Sequence, residues 1–228
     1  MYIGQGHLNP ISRVFQDIFS WHSLFLFACT IILCIIWQLM VFAKGRKAGE
    51  KRKSARHFTA IAVFLLYLML VYRQTGMSGL AWWVRSPLIA LNRIALVPFS
   101  TSNDLVPYLY NILMFIPFGF LLPAIWPTFR SLKKVTIVAF LFSLTIETMQ
   151  LFTNRLSATD DLIMNTLGAI IGYLICKALF CIFPGVQHKE KPNTHPLFHP
   201  EAFIYIALSL IGIMFLYHPA VIALLAPR

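Results

Sequence analysis

A polytopic, all-α transmembrane bundle of about six helices is the architecture this sequence predicts, and three observations predict it. The first is bulk character: of 228 residues, 58% are hydrophobic, 14% aromatic and only 12% charged, with a mean hydropathy of +0.73, far more apolar than a soluble domain. The second is a series of apolar runs of the length a helix needs to cross the hydrocarbon. The third is an uneven distribution of cations between the segments that join those runs.

Six runs satisfy the length criterion: 23–43, 57–73, 108–126, 133–152, 162–183 and 202–226. The first begins too late, and lacks the small-residue cleavage site, for a removed signal peptide to be expected, although an uncleaved signal anchor would read the same way. The second is the shortest. Pro117, Pro123 and Pro127 are expected to kink or end the third, because proline removes a helical N–H, and Gly119 between them leaves room for a neighbouring helix. Pro219 threatens the sixth. The gap 74–107 holds "GLAWWVRSPLIALNRIALVPFS"; its paired Trp82 and Trp83 suit a membrane interface, and a segment lying on or dipping into the outer leaflet is expected. Residues 1–57, 58–183 and 184–228 then divide the chain into an N-terminal span with a basic loop, a central membrane domain, and a loop with a last span.

The net charge of +11 is a statement about sidedness rather than about nucleic acid. Lys44, Arg46, Lys47, Lys51, Arg52, Lys53 and Arg56 fill the first connection; Arg130, Lys133 and Lys134 the third; Lys177, Lys189 and Lys191 the end of the fifth run and the connection after it. Arg13, Arg73, Arg85, Arg93, Arg155 and Arg228 fall on the other side when six crossings are drawn. The positive-inside bias puts the larger group in the cytoplasm and both termini outside. Anionic lipid headgroups are natural partners of the first loop, and no nucleic-acid partner is expected.

Metal and cofactor chemistry find little support. Cys29, Cys34, Cys176 and Cys181 lie within the runs in no metal-ligand spacing, and read as small apolar packing residues. His195 and His199 are four apart, but Pro196 and Pro200 oppose the helix that would align them. No cofactor is expected.

The polar residues that stand out are in "ETMQLFTNRLSATDDLIMNTLG", residues 147–168, between the fourth and fifth runs. Glu147 and Gln150 share a helix face, as do Asp161 and Asn165; continuing the second face gives Gly168 and Gly172, a GxxxG that admits a second helix closely. Asn111 lies three residues into the third run and Asn165 three into the fifth, so Asn111, Glu147 and Asn165 are expected at a similar shallow depth on the extracytoplasmic side. An ionised carboxylate near lipid must face the bundle and find a partner, and Arg155 is the obvious one. Two readings remain open: Glu147, Arg155 and Asp161 form a polar latch without chemistry, or they line a small pocket that takes a phosphate, sugar or peptide headgroup.

These same residues resemble the signature of the VanZ-like family, in which Glu, Gln, Arg, Asp, Asn and Gly follow one another at set spacings; here they are Glu147, Gln150, Arg155, Asp161, Asn165 and Gly168. "NILMFIPFGFLLP" resembles an earlier family motif through Asn111, Pro117 and Gly119, and "LNRIALVPF" resembles the approach to it through Asn92, Pro98 and Phe99. Asp160 is outside that pattern. The resemblance covers about residues 58–183 and implies a multi-pass protein of the bacterial cytoplasmic membrane, similar to one associated with resistance to teicoplanin and related lipoglycopeptides. The resemblance supplies no settled activity. The first functional reading is a non-catalytic protein that lowers access of a lipid-tailed glycopeptide to its target, with Asn111, Glu147, Gln150, Arg155, Asp161 and Asn165 as the ligand-binding set and a lipid-linked cell-wall precursor or the lipoglycopeptide as ligand. An enzyme using Glu147 or Asp161 as acid or base, with Arg155 steadying a phosphate, is the second reading. A small transporter or flippase is the third, weakened because the polar groups cluster at one end and no inverted repeat is evident.

Overall fold

The computed structural model describes residues 21–48, 55–77, 94–95, 97–99, 104–151, 157–182 and 200–216. Six α-helices run through them: α1 (Trp21–Ala48), α2 (Ala55–Gln74), α3 (Val106–Ile125), α4 (Leu132–Gln150), α5 (Thr159–Ile182) and α6 (Pro200–Leu216). Two two-residue strands, β1 (Ile94–Ala95) and β2 (Ser157–Ala158), pair in parallel, with Ile94 opposite Ser157 and Ala95 opposite Ala158. A 3-10 turn at Pro127–Phe129 joins α3 to α4.

Local chemistry sets the helix ends. Gly76, with φ of 66°, closes α2 in a Schellman motif: Met77 N–H reaches the Tyr72 carbonyl at 3.0 Å and Gly76 N–H the Arg73 carbonyl at 3.1 Å. α3 runs unbroken through Pro117 and Pro123 and stops at Ile125, because Trp126, which precedes Pro127, is extended (φ −119°, ψ 109°). Of the two effects expected of the prolines, kinking or ending the helix, ending occurs, at the third. α5 starts at Thr159, three residues before the expected boundary, and so takes Asp160 and Asp161 into its first turn, where the helix dipole favours negative charge.

Arg56–Gln74, Val106–Ile125 and Thr159–Ile182 are long and apolar enough to cross a membrane, and Phe27–Met40 and Glu201–Phe215 are shorter apolar helices. The run expected to be least secure, 57–73, is thus one of the three. α4 carries Lys133, Lys134 and Glu147 within 19 residues, and residues beyond Leu216, where the sixth run was expected to continue to 226, lie outside those described.

α3 and α5 run parallel, with their backbones in contact at three glycines. A Cβ on Gly119 would collide with the Ala169 carbonyl, one on Gly168 with that of Ile112, and one on Gly172 with that of Ile116. Removing side chains at these three positions lets the backbones touch, which is how helices associate where no hydrophobic drive exists between them. Beside this pair, aromatic rings from α2, α3 and α4 form the core: Phe118 stacks on Phe142 at 4.9 Å with 7° between planes, and Phe64 meets Trp126 edge-on at 5.3 Å. α6 lies against α1, where Gly212 abuts the Cys29 carbonyl and Tyr72 of α2 hydrogen-bonds Ser209 at 2.8 Å. Leu113, Leu141, Leu144, Leu174 and Ile175 point outward and are exposed, as lipid-facing side chains are.

Candidate functional site

The polar residues of α3, α4 and α5 gather at the end of the bundle where α3 and α5 begin and α4 finishes. Glu147 is 5% exposed, Gln150 7%, Asn165 2% and Asp160 1%, so this is a buried polar network, and each member needs a partner.

Glu147 Oε2 accepts the backbone N–H of Ala158 at 3.1 Å, tying the last turn of α4 to the strand that leads into α5. One turn earlier on α4, Ser143 Oγ accepts from Asn165 Nδ2 at 2.9 Å. Gln150, on the Glu147 face, donates through Nε2 to the Thr75 carbonyl at 3.2 Å and so satisfies a carbonyl at the end of α2. The helix faces inferred from spacing place these side chains, but each bonds a different neighbour.

The first turn of α5 holds the second half of the network. Asp161 accepts from Asn111 Nδ2, linking α5 to α3 above the glycine contact; both residues are half-buried. Asp160 accepts the Phe99 backbone N–H and, at 3.1 Å, the Tyr108 hydroxyl. Phe99 has φ of 60°, a left-handed conformation that costs a non-glycine residue about 1–3 kcal/mol and persists only where its surroundings fix it. They do so here through the Asp160 bond and an edge-on contact with Tyr108 at 5.7 Å. Thr159 Oγ1 adds a bond to the Ala95 carbonyl at 3.1 Å, so residues 94–99 are fastened across the start of α5.

Asn111 and Asp161 are thus joined directly, and Glu147 and Asn165 sit one turn apart on a shared α4–α5 interface. Arg155 and Asn92 lie outside the described residues, as do Trp82, Trp83, His195 and His199. Gly119, Gly168 and Gly172 belong to the α3–α5 packing below the site, and Pro117 lies within α3. Three contributors are not singled out from sequence: Tyr108, Ser143 and Thr75. Asp160 is set there below Asp161, and the signal that raises it is a carboxylate in the first turn of a helix. Tyr108 and Ser143 stand one turn from Asn111 and Glu147 on the same faces, a spacing that could have found them.

With this geometry in view, comparison with known proteins is decisive on one point. The sequence model of the VanZ/LLP1 family matches residues 25–182, from within α1 to the end of α5. The chain belongs to the VanZ/LLP1 family. No curated protein and no solved structure matches it. The matched region takes in α1, which the motif resemblance beginning near residue 58 left aside, and it leaves α6 beyond its end. The apolar helices and the family together describe a VanZ-like membrane protein, and Asn111, Glu147, Gln150, Asp161 and Asn165 converge at one end of its α3–α5 pair.

Chemically, this end of the VanZ-like bundle is a rigid frame of acceptors and amides. Asn165 Oδ1 is buried without a hydrogen-bond partner among the described residues, while the Asn111–Asp161 pair at the rim remains partly accessible. Such a frame can orient a polar headgroup whose apolar portion stays in lipid.

Proposed function

We propose that this VanZ-like protein spans the bacterial cytoplasmic membrane six times with both termini outside, and lowers susceptibility to teicoplanin and related lipid-tailed glycopeptides. In this reading the Asn111–Asp161 end faces outward and engages the headgroup of a lipid-linked cell-wall precursor or of the glycopeptide itself. The observation that carries it is the half-buried Asn111–Asp161 pair standing on helices locked by Gly119, Gly168 and Gly172. A binding group held on rigid elements needs little reorganisation when it meets its ligand. The positive-inside bias supports the same orientation: Arg56 in the first turn of α2, and Arg130, Lys133 and Lys134 around the start of α4, stand at the opposite end.

Binding is favoured over acid–base catalysis by what the carboxylates already hold. Glu147 accepts from Ala158, and Asp160 from Phe99 and Tyr108, which are framework bonds. Transport is disfavoured because the family motif residues stay at one end.

The test is teicoplanin and vancomycin susceptibility in a sensitive host expressing wild type, Asn111→Ala or Asp161→Ala, with membrane abundance matched by quantitative blot. Protection against teicoplanin by wild type, lost in equally abundant variants, is the expected result. Absence of protection by wild type overturns the resistance role, and full protection by both variants overturns the role of the pair.

A further inference from the structure

At the opposite end of the bundle, the connection from α3 to α4 carries Arg130. Its guanidinium carbon lies 4.9 Å from the centre of the Phe180 ring of α5, and its carbonyl accepts the Tyr173 hydroxyl at 3.2 Å. Backbone and side chain are therefore both anchored on α5. The guanidinium has no acceptor among the described residues, and its Nε is shielded from solvent without a partner.

Three more cations occupy the same end: Lys133 and Lys134 in the first turn of α4, and Lys177 on α5, one turn before Phe180. Among the described residues no carboxylate pairs with any of them. Asp104, Glu147, Asp160 and Asp161 lie at the far end, and Glu201 is engaged by Trp126 Nε1 at 3.1 Å and His57 Nε2 at 3.2 Å. Among the described residues these four cations have no carboxylate paired with them, and burying part of a guanidinium in that state is unfavourable unless an anion completes it.

The surroundings indicate which anion. Leu132, Ile175, Leu179 and Ile182, on the same ends of α4 and α5, are exposed. These side chains face lipid, so a ligand with an anionic head and an apolar tail can reach Arg130 from the bilayer and lie along them, whereas a soluble phosphate has no part to place there. Arginine is the side chain suited to the head, since its planar fork can bind two phosphate oxygens at once.

We propose that Arg130, preorganised on Phe180 and assisted by Lys133, Lys134 and Lys177, holds the phosphate of an anionic phospholipid at the end of the bundle where α3 finishes and α4 begins. This site is separate from the Asn111–Asp161 frame, and its occupancy does not depend on the resistance role.

The experiment uses the full-length protein in neutral detergent, titrated with phosphatidylglycerol, phosphatidylcholine or inorganic phosphate, with the thermal unfolding midpoint as the readout. Phosphatidylglycerol is expected to raise the midpoint, phosphatidylcholine to raise it less, and inorganic phosphate to leave it unchanged. Arg130→Gln is expected to weaken the phosphatidylglycerol response about tenfold in apparent affinity, the loss of one charge-assisted contact. Should Arg130→Gln fail to fold, the combined Lys133→Gln, Lys134→Gln and Lys177→Gln variant, which leaves Phe180 and Tyr173 in place, is expected to lose the preference for the anionic lipid. An equal response to the two lipids overturns the proposal. So does an undiminished response in the folded variant, or an equal response to inorganic phosphate.

Discussion

Glu147 is bonded through Oε2 to the backbone N–H of Ala158, eleven residues later, at 3.1 Å. Its carboxylate therefore ties the last turn of α4 to β2, the strand that directly precedes α5 with Asp160 and Asp161 in its first turn.

Glu147→Gln and Glu147→Ala should separate accordingly. Glutamine keeps an oxygen that can accept the Ala158 N–H, whereas alanine strands a buried donor, at a cost of about 1–3 kcal/mol. Fluorescence-detected size exclusion after graded heating is expected to show a near wild-type midpoint for the first and a clearly lowered midpoint for the second. Equal loss in both would mean that the charge of Glu147, and not its role as an acceptor, sustains the fold.

The two adjacent aspartates of α5 should respond in the reverse of their standing in the family pattern. Asp160 uses one oxygen for the Phe99 N–H and the other for the Tyr108 hydroxyl. Asparagine would turn an NH₂ group toward one of those donors, costing about 1–3 kcal/mol, and would loosen the strained backbone of Phe99. Asp161 accepts from Asn111 alone in the described bonds, an interaction an asparagine oxygen can still accept. Thermal midpoints of purified Asp160→Asn and Asp161→Asn are expected to fall markedly for the first and slightly for the second. Resistance, measured at matched abundance, should show the larger loss in Asp161→Asn if the rim pair binds an ionic headgroup.

Much of this arrangement is legible in the sequence, and the reasons differ by element. Helix positions follow from uninterrupted apolar runs, and the shared faces of Glu147 with Gln150 and of Asp161 with Asn165 follow from helical spacing. Partners do not follow, because spacing within one helix says nothing about the rotation of the next. The Arg155 expected beside Glu147 lies outside the described residues, and the bond described for Glu147 runs to the backbone of Ala158. Asp160 was undervalued for a related reason: its importance comes from Phe99 and Tyr108, about sixty and fifty residues earlier, brought over α5 by the β1–β2 pairing. Hydropathy starts the fifth run at 162, which leaves Asp160 and Asp161 before it, although the spacing of Asp161 and Asn165 already puts that pair on one helix face.

The glycine contact between α3 and α5 yields the most severe prediction. At Gly172 an added Cβ would meet the Ile116 carbonyl and, at 2.9 Å, the Phe120 amide nitrogen. Both are backbone atoms inside a helix, so no rotamer change relieves the clash, and α3 must move away from α5. Overpacking of this kind typically costs about 1–3 kcal/mol. Displacement would also part Asn111 from Asp161, because the same two helices carry that pair. Gly172→Ala is therefore expected to lower both the thermal midpoint and the resistance of cells, even after expression is raised to restore abundance. A variant that keeps wild-type resistance per folded molecule would show that the rim pair tolerates helix separation, and would remove the rigid-frame argument from the account of how this end works.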